Sequence, residues 1–243
     1  MTKKDSIGDR MKIYEATWNT YLPPRLPLIL RLDGRAWHNL TKSCQKPFDE
    51  KLINALNKTA IRLCEEIQGA QIAFLQSDEI SILIHNYKRL DSKSWFDNKL
   101  QKMLSVSAAI ASSTMTLETI NVFGKYRNAE FDSRAIIVPE SDVCNLFYWR
   151  QKDWTRNSVQ MVARSMYSQK ECYGKNNSQL QDMIHAKGQN WNNLPVQLKR
   201  GRCVIKESYV VNGANRSRWV VDNNIPIFSK DREYIEKYLK TED

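Results

Sequence analysis

From residue 27 to residue 138 the chain alternates strand-length apolar runs with helix-length amphipathic ones, in an order that few folds accommodate. The first run, LILRLDGRAWH, follows Pro23, Pro24 and Pro27, and its Leu28, Ile29, Leu30 and Leu32 predict a buried strand over residues 27–33. From Phe48 to Ile67, Leu52, Leu56, Leu63 and Ile67 recur at helical spacing, with Gly69 as the stop. The segment AQIAFLQSDEISILIH reads as two strands, Gln71–Leu75 and Ile80–His85, about a tight turn carrying Ser77, Asp78 and Glu79. Ser94, with Asp97 three residues later, predicts the cap of a second helix running through Phe96, Leu100, Met103, Leu104 and Ala111 to Glu118. A fourth strand, Ala135–Val138, lies between Asp132 and Pro139. The order β, α, β, β, α, β is the ferredoxin-like, split-βαβ arrangement, an α+β unit with two helices on one face of the sheet. In that topology the first strand lies beside a strand of the central hairpin. Asp33 and Asp78 are therefore expected to meet at one sheet edge.

After residue 139 the pattern predicts helical pieces over Asp142–Arg150, Asp153–Gln169 and Ser178–Ala186, then strands over Arg202–Val210 and Ser217–Val221. With no repeat and no Gly-, Pro- or Ser-rich linker, residues 1–138 are expected to form a palm-like catalytic unit. Residues 139–243 then form a mostly helical appendage, with a small β element, packed against it. At 243 residues and 42% hydrophobic composition the chain can bury one sizeable core.

Charge narrows the partners. Thirty-seven Lys and Arg against 27 Asp and Glu give a net charge of +10, which favours nucleic acid over a membrane surface. Five cysteines without CxxC spacing suit neither a disulfide framework nor a zinc knuckle, and point to a reducing setting. No apolar run approaches a membrane span and the first fifteen residues lack a signal-peptide core, so a soluble, cytoplasmic protein is expected.

Two carboxylates at one strand end repel unless a cation lies between them. Mg²⁺ suits such a pair, because it takes one or two carboxylates and completes its shell with phosphate oxygens and water. Two such ions can activate an attacking oxygen and stabilise a leaving one. Gly34, lacking a Cβ, would let its carbonyl approach a metal or phosphate. Each acidic motif alone also suits a plain turn; their convergence in this topology is what singles them out.

The motifs RLDGRAWH, QSDEISIL, FDSRAIIVP, WRQKDW and NWNNLPVQLKRG, in that order over residues 28–201, resemble those of tRNA-His guanylyltransferase and its tRNA-repairing relatives, the 3′ to 5′ polymerases. The resemblance implies a Mg²⁺-dependent nucleotidyltransferase that extends tRNA at its 5′ end. ATP would activate a 5′ monophosphate, or a 5′ triphosphate would serve directly. It further implies that Asp33, the Gly34 carbonyl and Asp78 hold two Mg²⁺ ions, with Glu79 beside them among the catalytic acids. Nucleotide (GTP, ATP or another NTP) would meet Asp33, Gly34, Arg35, Ala36, Trp37, His38, Lys46, Ser77 and Asp78. A homo-tetramer is also implied. Where guanylyltransferases proper carry His-Ile-Asn-Asn-Leu-Tyr-Asn, residues 155–161 read TRNSVQM and only Asn157 matches, which favours the branch that refills missing 5′ nucleotides against the acceptor strand.

Arg134, Arg150, Lys152, Arg156, Asn157, Lys199 and Arg200, with Arg202 and Lys206 beside them, are the candidate tRNA contacts. Arg134 also suits an ion pair with Asp132. Trp149, Trp154 and Trp191 are expected as core or interface anchors, and His85 and His185 as structural. Two alternatives remain at this stage, a nucleotide cyclase and a basic RNA-binding module with a vestigial palm. The hairpin tip QSDEI lacks the GGDEF or GGEEF turn of the cyclases.

Overall fold

Strand alternation sets the architecture. In the computed structural model, which describes residues 6–241, alternate residues of the central strands are apolar on both faces, so the sheet needs cover on both sides. The elements are α1 (Ile7–Ala16), β1 (Leu28–Gly34), the single turn α2 (Trp37–Leu40), α3 (Glu50–Glu66), β2 (Ala70–Gln76), β3 (Glu79–Ile84), α4 (Leu100–Phe123), β4 (Phe131–Ile137), α5 (Glu140–Met166), α6 (Gln169–Cys172), α7 (Asn177–Ala186), α8 (Val196–Arg200), β5 (Arg202–Val211), β6 (Ala214–Asp222) and α9 (Glu233–Glu236). The sheet order is β4-β1-β3-β2-β5-β6, antiparallel throughout.

One face packs Leu28, Leu30 and Leu32 with Ile80, Ile82 and Ile84 against α3 and α4, contributing Leu56, Leu63, Met103 and Met115. The other face packs Ile29, Ile72, Phe74 and Leu83 against Val143, Cys144 and Phe147 of α5 and against Ile225 and Phe228. Each such side chain taken fully from water is worth about 1.5–3 kcal/mol. A third cluster, Val159, Val162, Leu180 and Ile184, ties α7 to the far half of α5.

The α+β, βαββαβ expectation is met, and the departures have local causes. The two helical pieces expected over 142–169 are one 27-residue helix, α5, because the buried stripe from Val143 through Phe147, Trp154 and Val162 runs unbroken past Gln151. Ser94 does not cap the second helix. Its hydroxyl instead accepts from Asn86, and Phe96, Asp97 and Asn98 turn through positive φ before α4 begins at Leu100. Strand β4 starts four residues earlier than expected, at Phe131, since Asp132 and Arg134 alternate with inward Phe131 and Ser133. The segment after 139 does more than pack on the palm, because β5 pairs with β2 and extends the same sheet. Helix α1, which no sequence pattern announced, is capped by Ser6 accepting from the Asp9 amide and buries none of its residues. Among the described residues no helix is long and apolar enough to cross a membrane, and all five cysteines are free.

Candidate active site

Register builds the site. Asp33 at the end of β1 stands opposite Glu79 of β3 on one side and Asp132 of β4 on the other, so three acids share one face in a row. Two residues back, the same face carries Arg31, Ser81 and Arg134, and two further back it carries apolar Ile29, Leu83 and Ile136 under α5. Asp78 reaches the row from the β2–β3 turn, where Ser77 adopts φ +44° and the Asp78 carbonyl accepts from the Gly34 amide at 3.1 Å. The expected meeting of the two strand ends is thus made by a backbone hydrogen bond.

The electrostatics distinguish the four acids. Asp33 is pushed above the ordinary carboxylate range by burial, then by the charges of Glu79 and Asp132, more than Arg134 and Arg31 pull it down. Asp78 is raised by burial and then by Asp33. Asp132 pairs with Arg134 at 3.2 Å, the partnership that was the alternative to a phosphate contact for this arginine. Glu79 does not stand open beside the other two, as had been expected. It is buried and clamped by Arg150, whose Nε donates to Oε1 at 2.7 Å and whose Nη2 donates to Oε2 at 2.5 Å; the Ser81 hydroxyl adds a third bond.

Two raised, mutually repelling carboxylates lacking the clamp that neutralises Glu79 form a donor set that fits Mg²⁺. Among the described residues no group of three or more His, Cys, Asp or Glu side chains is placed to hold a metal ion, so a Mg²⁺ ion here would take only the two aspartates from side chains and complete its shell with other oxygens. Gly34 has a second reason for its identity. A Cβ there would lie 2.5 Å from Cδ1 of Trp37, so the indole occupies the space a side chain would need.

A cavity of about 270 Å³ opens beside Asp78 and collects Trp37, His38, Lys46 and Ser77 from the expected nucleotide set. Sequence reasoning missed its apolar wall, formed by Phe48, Leu52, Trp154 and Met161. Two of these come from α5, in and beside the stretch where the chain departs from the guanylyltransferase pattern. Of the remaining nucleotide candidates, Ala36 is exposed at φ +55°. Arg35 is turned away, its amide and guanidinium bound to Glu130 at 2.8 and 2.6 Å. Trp37 is buried and its indole N–H donates to the Glu130 carbonyl, so it walls the cavity from within the core.

A second groove, of about 860 Å³, gathers Lys152, Arg156, Lys199 and Arg200 with Lys175, Trp149 and Trp191. Arg150 and Arg202 are corrections to the expected RNA contacts. Both are buried, Arg150 on Glu79 and Asp153, Arg202 on the Asn57 side chain and the Ile53 carbonyl. Their guanidinium groups serve the fold, since a buried charge must be paired to be tolerated. Asn157 is half-buried and lines neither cavity, and Lys206 is exposed over Trp219. Trp149 is no core anchor at 53% exposure, whereas Trp154 is buried. His85 is buried edge-on to Tyr87 and His185 is exposed on α7.

Residues 8–139, the part that carries all four acids, match the model of the tRNA-His guanylyltransferase family. A bacterial tRNA-His guanylyltransferase-like protein solved in complex with ATP is 46% identical and superposes with a TM-score of 0.90, over 96% of this chain and 99% of that one. One solved with GTP is 45% identical at a TM-score of 0.83, over 97% and 99% of the two chains. Among curated sequences, uncharacterized protein R259 of Acanthamoeba polyphaga mimivirus is 26% identical over 97% of this chain and 88% of its own length. A probable tRNA-His guanylyltransferase of Dictyostelium discoideum is 24% identical over 74% and 75%. The enzyme of Saccharomyces cerevisiae, 20% identical with a TM-score of 0.68, shares the fold. With its palm register, its paired aspartates and these matches, the chain belongs to the tRNA-His guanylyltransferase family of nucleotidyltransferases.

Proposed function

We propose that this protein adds nucleotides to the 5′ end of tRNA, in the 3′ to 5′ direction, by template-directed repair. The observation that carries the reading is the joined pair of strand ends, Gly34 bonded to Asp78, which delivers two carboxylates with raised proton affinity to one face beside a nucleotide-sized cavity. When bound there, two Mg²⁺ ions held by Asp33, the Gly34 carbonyl and Asp78 would supply charge neutralisation at the reacting phosphate and activation of the attacking hydroxyl.

The protein's own groups do the rest. Lys46 and the Ser77 hydroxyl, both at the mouth of the 270 Å³ cavity, neutralise and orient a triphosphate. The apolar wall of Phe48, Leu52, Trp154 and Met161 takes the base of ATP or GTP, in keeping with the nucleotides carried by the similar solved structures. Glu79, paired with Arg150, holds α5 at the sheet edge, a positioning role. A 5′ monophosphate attacks the α-phosphorus of ATP and releases pyrophosphate; the 3′ hydroxyl of the incoming nucleotide then displaces AMP. A 5′ triphosphate skips the first step and loses pyrophosphate. Lys152, Arg156, Lys199 and Arg200 furnish the backbone contacts to tRNA. The exposed apolar residues of α1, Ile7, Met11, Ile13 and Tyr14, suit burial in a homo-oligomer, which we take to be a tetramer.

The test supplies Mg²⁺, ATP, labelled GTP and a tRNA lacking its first nucleotide, together with its 5′-triphosphorylated form. The reading predicts incorporation of the nucleotide that pairs with the facing acceptor base. Binding without incorporation, or a cyclic nucleotide product, would reject it.

A further inference from the structure

Trp149 is exposed over half of its surface, on the side of α5 that lines the 860 Å³ groove. Two guanidinium groups attend its ring, Arg150 at 4.5 Å and Arg31 at 5.8 Å from the centroid. Both lie deeper in the protein than the indole, so the exposed part of the ring is left facing the groove. Arg150 is fixed by Glu79, and Arg31 precedes Asp33 by two residues on the same face of β1, about 7 Å along the strand. The indole is therefore tied to the strand ends that carry the carboxylates. Lys152, Arg156, Lys199 and Arg200 share its groove.

We propose that Trp149 is the platform on which the terminal base at the RNA 5′ end stacks while that nucleotide's phosphate lies at Asp33 and Asp78. This rests on the tRNA-end reading above and adds to it the residue that registers the end. Stacking suits the task, because each round of addition leaves a different terminal base, and an aromatic face accepts all four whereas hydrogen-bond readout would accept one. The five groove cations, Lys175 with the four above, favour RNA over a second protein surface as the occupant.

The test compares two RNAs, one with a normal 5′-terminal nucleotide and one with an abasic 5′-terminal residue, bound by the wild-type protein and by Trp149→Ala and Trp149→Phe. The wild-type protein should bind the abasic RNA more weakly by about 5-fold or more. Trp149→Ala should bind the normal RNA with that same loss and no longer distinguish the two, and Trp149→Phe should recover most of the difference. ATP affinity should be unchanged in both variants, since Trp149 does not line the 270 Å³ cavity. Equal binding of the two RNAs by the wild-type protein overturns the proposal, even where a variant fails to fold. So does a Trp149→Ala protein that keeps the distinction, or one that instead loses self-association in sedimentation, which would assign the face to a second copy. Failure of the wild-type protein to add nucleotides would reject the underlying activity alone, because the abasic comparison is read in binding.

Discussion

Asp33 and Asp78 are held in a state that costs stability whenever no cation is present. Their carboxyls are raised above the usual range by burial and by neighbouring acids, so in the window between that range and the raised values the native state binds more protons than the unfolded chain. Stability must then fall as pH rises through the window. Without divalent cation at pH 8, Asp78→Asn should melt higher than the wild-type protein, and the gap should close towards pH 4. Thermal melts in EDTA across that range would read it, and a variant melting lower at pH 8 would refute the repulsion. Glu79 has the opposite sign. Its carboxylate is the buried bidentate partner of Arg150, and Glu79→Gln should lower stability by about 1.5–3 kcal/mol, since the guanidinium then keeps only Asp153 as a charged partner. Urea titration giving a loss under 1 kcal/mol would mean that the pair is solvated. Nothing in QSDEI separates these two adjacent acids; only the register that turns Glu79 towards α5 does.

At the scale of elements, the short loop between α8 and β5 sets where the appended hairpin joins the palm. Gly201 has φ +82°, and a Cβ there would lie 2.6 Å from the Phe74 ring and 2.9 Å from the Leu75 carbonyl. Gly201→Ala should therefore cost about 2–4 kcal/mol, the sum of left-handed strain and overpacking, measurable by chemical denaturation. A near-neutral effect would mean that the β2–β5 pairing tolerates a shift. The central strands were legible because their apolar runs are short and two-sided, and α3 because Leu52, Leu56 and Leu63 keep a clean period. Less legible were places where a polar residue has a job that sequence does not announce. Ser94 holds Asn86 and caps no helix, and Asp132 and Arg134 pair on the face of a strand that their polarity disguised. In the site, Asp33 and Asp78 stand in motifs legible as strand ends, whereas Lys46 is named only through the family resemblance. Phe48, Trp154 and Met161 read only as ordinary apolar positions, because the cavity they wall is assembled from segments a hundred residues apart.

For the whole molecule, the two halves complete one another's surfaces. The palm's second face carries Ile29, Phe74 and Leu83, all fully buried, and their cover comes from α5 and the residues around Phe228. A fragment ending at residue 138 should therefore lack a cooperative melt and bind hydrophobic dye, and a sharp two-state transition from that fragment would show the palm to be self-sufficient. The same helix, α5, lines the basic groove and through Arg150 clamps Glu79, the neighbour of Asp33 across the sheet, so that fold stability and the proposed RNA path depend on one helix. The claim on which the account turns is that Asp33 and Asp78 hold divalent cations in common. Mn²⁺ binding followed by electron paramagnetic resonance, in the presence of ATP, on the wild-type protein and on folded Asp33→Asn and Asp78→Asn variants, measures it directly. The account predicts that either substitution abolishes protein-held Mn²⁺; a variant that retains wild-type occupancy would contradict it.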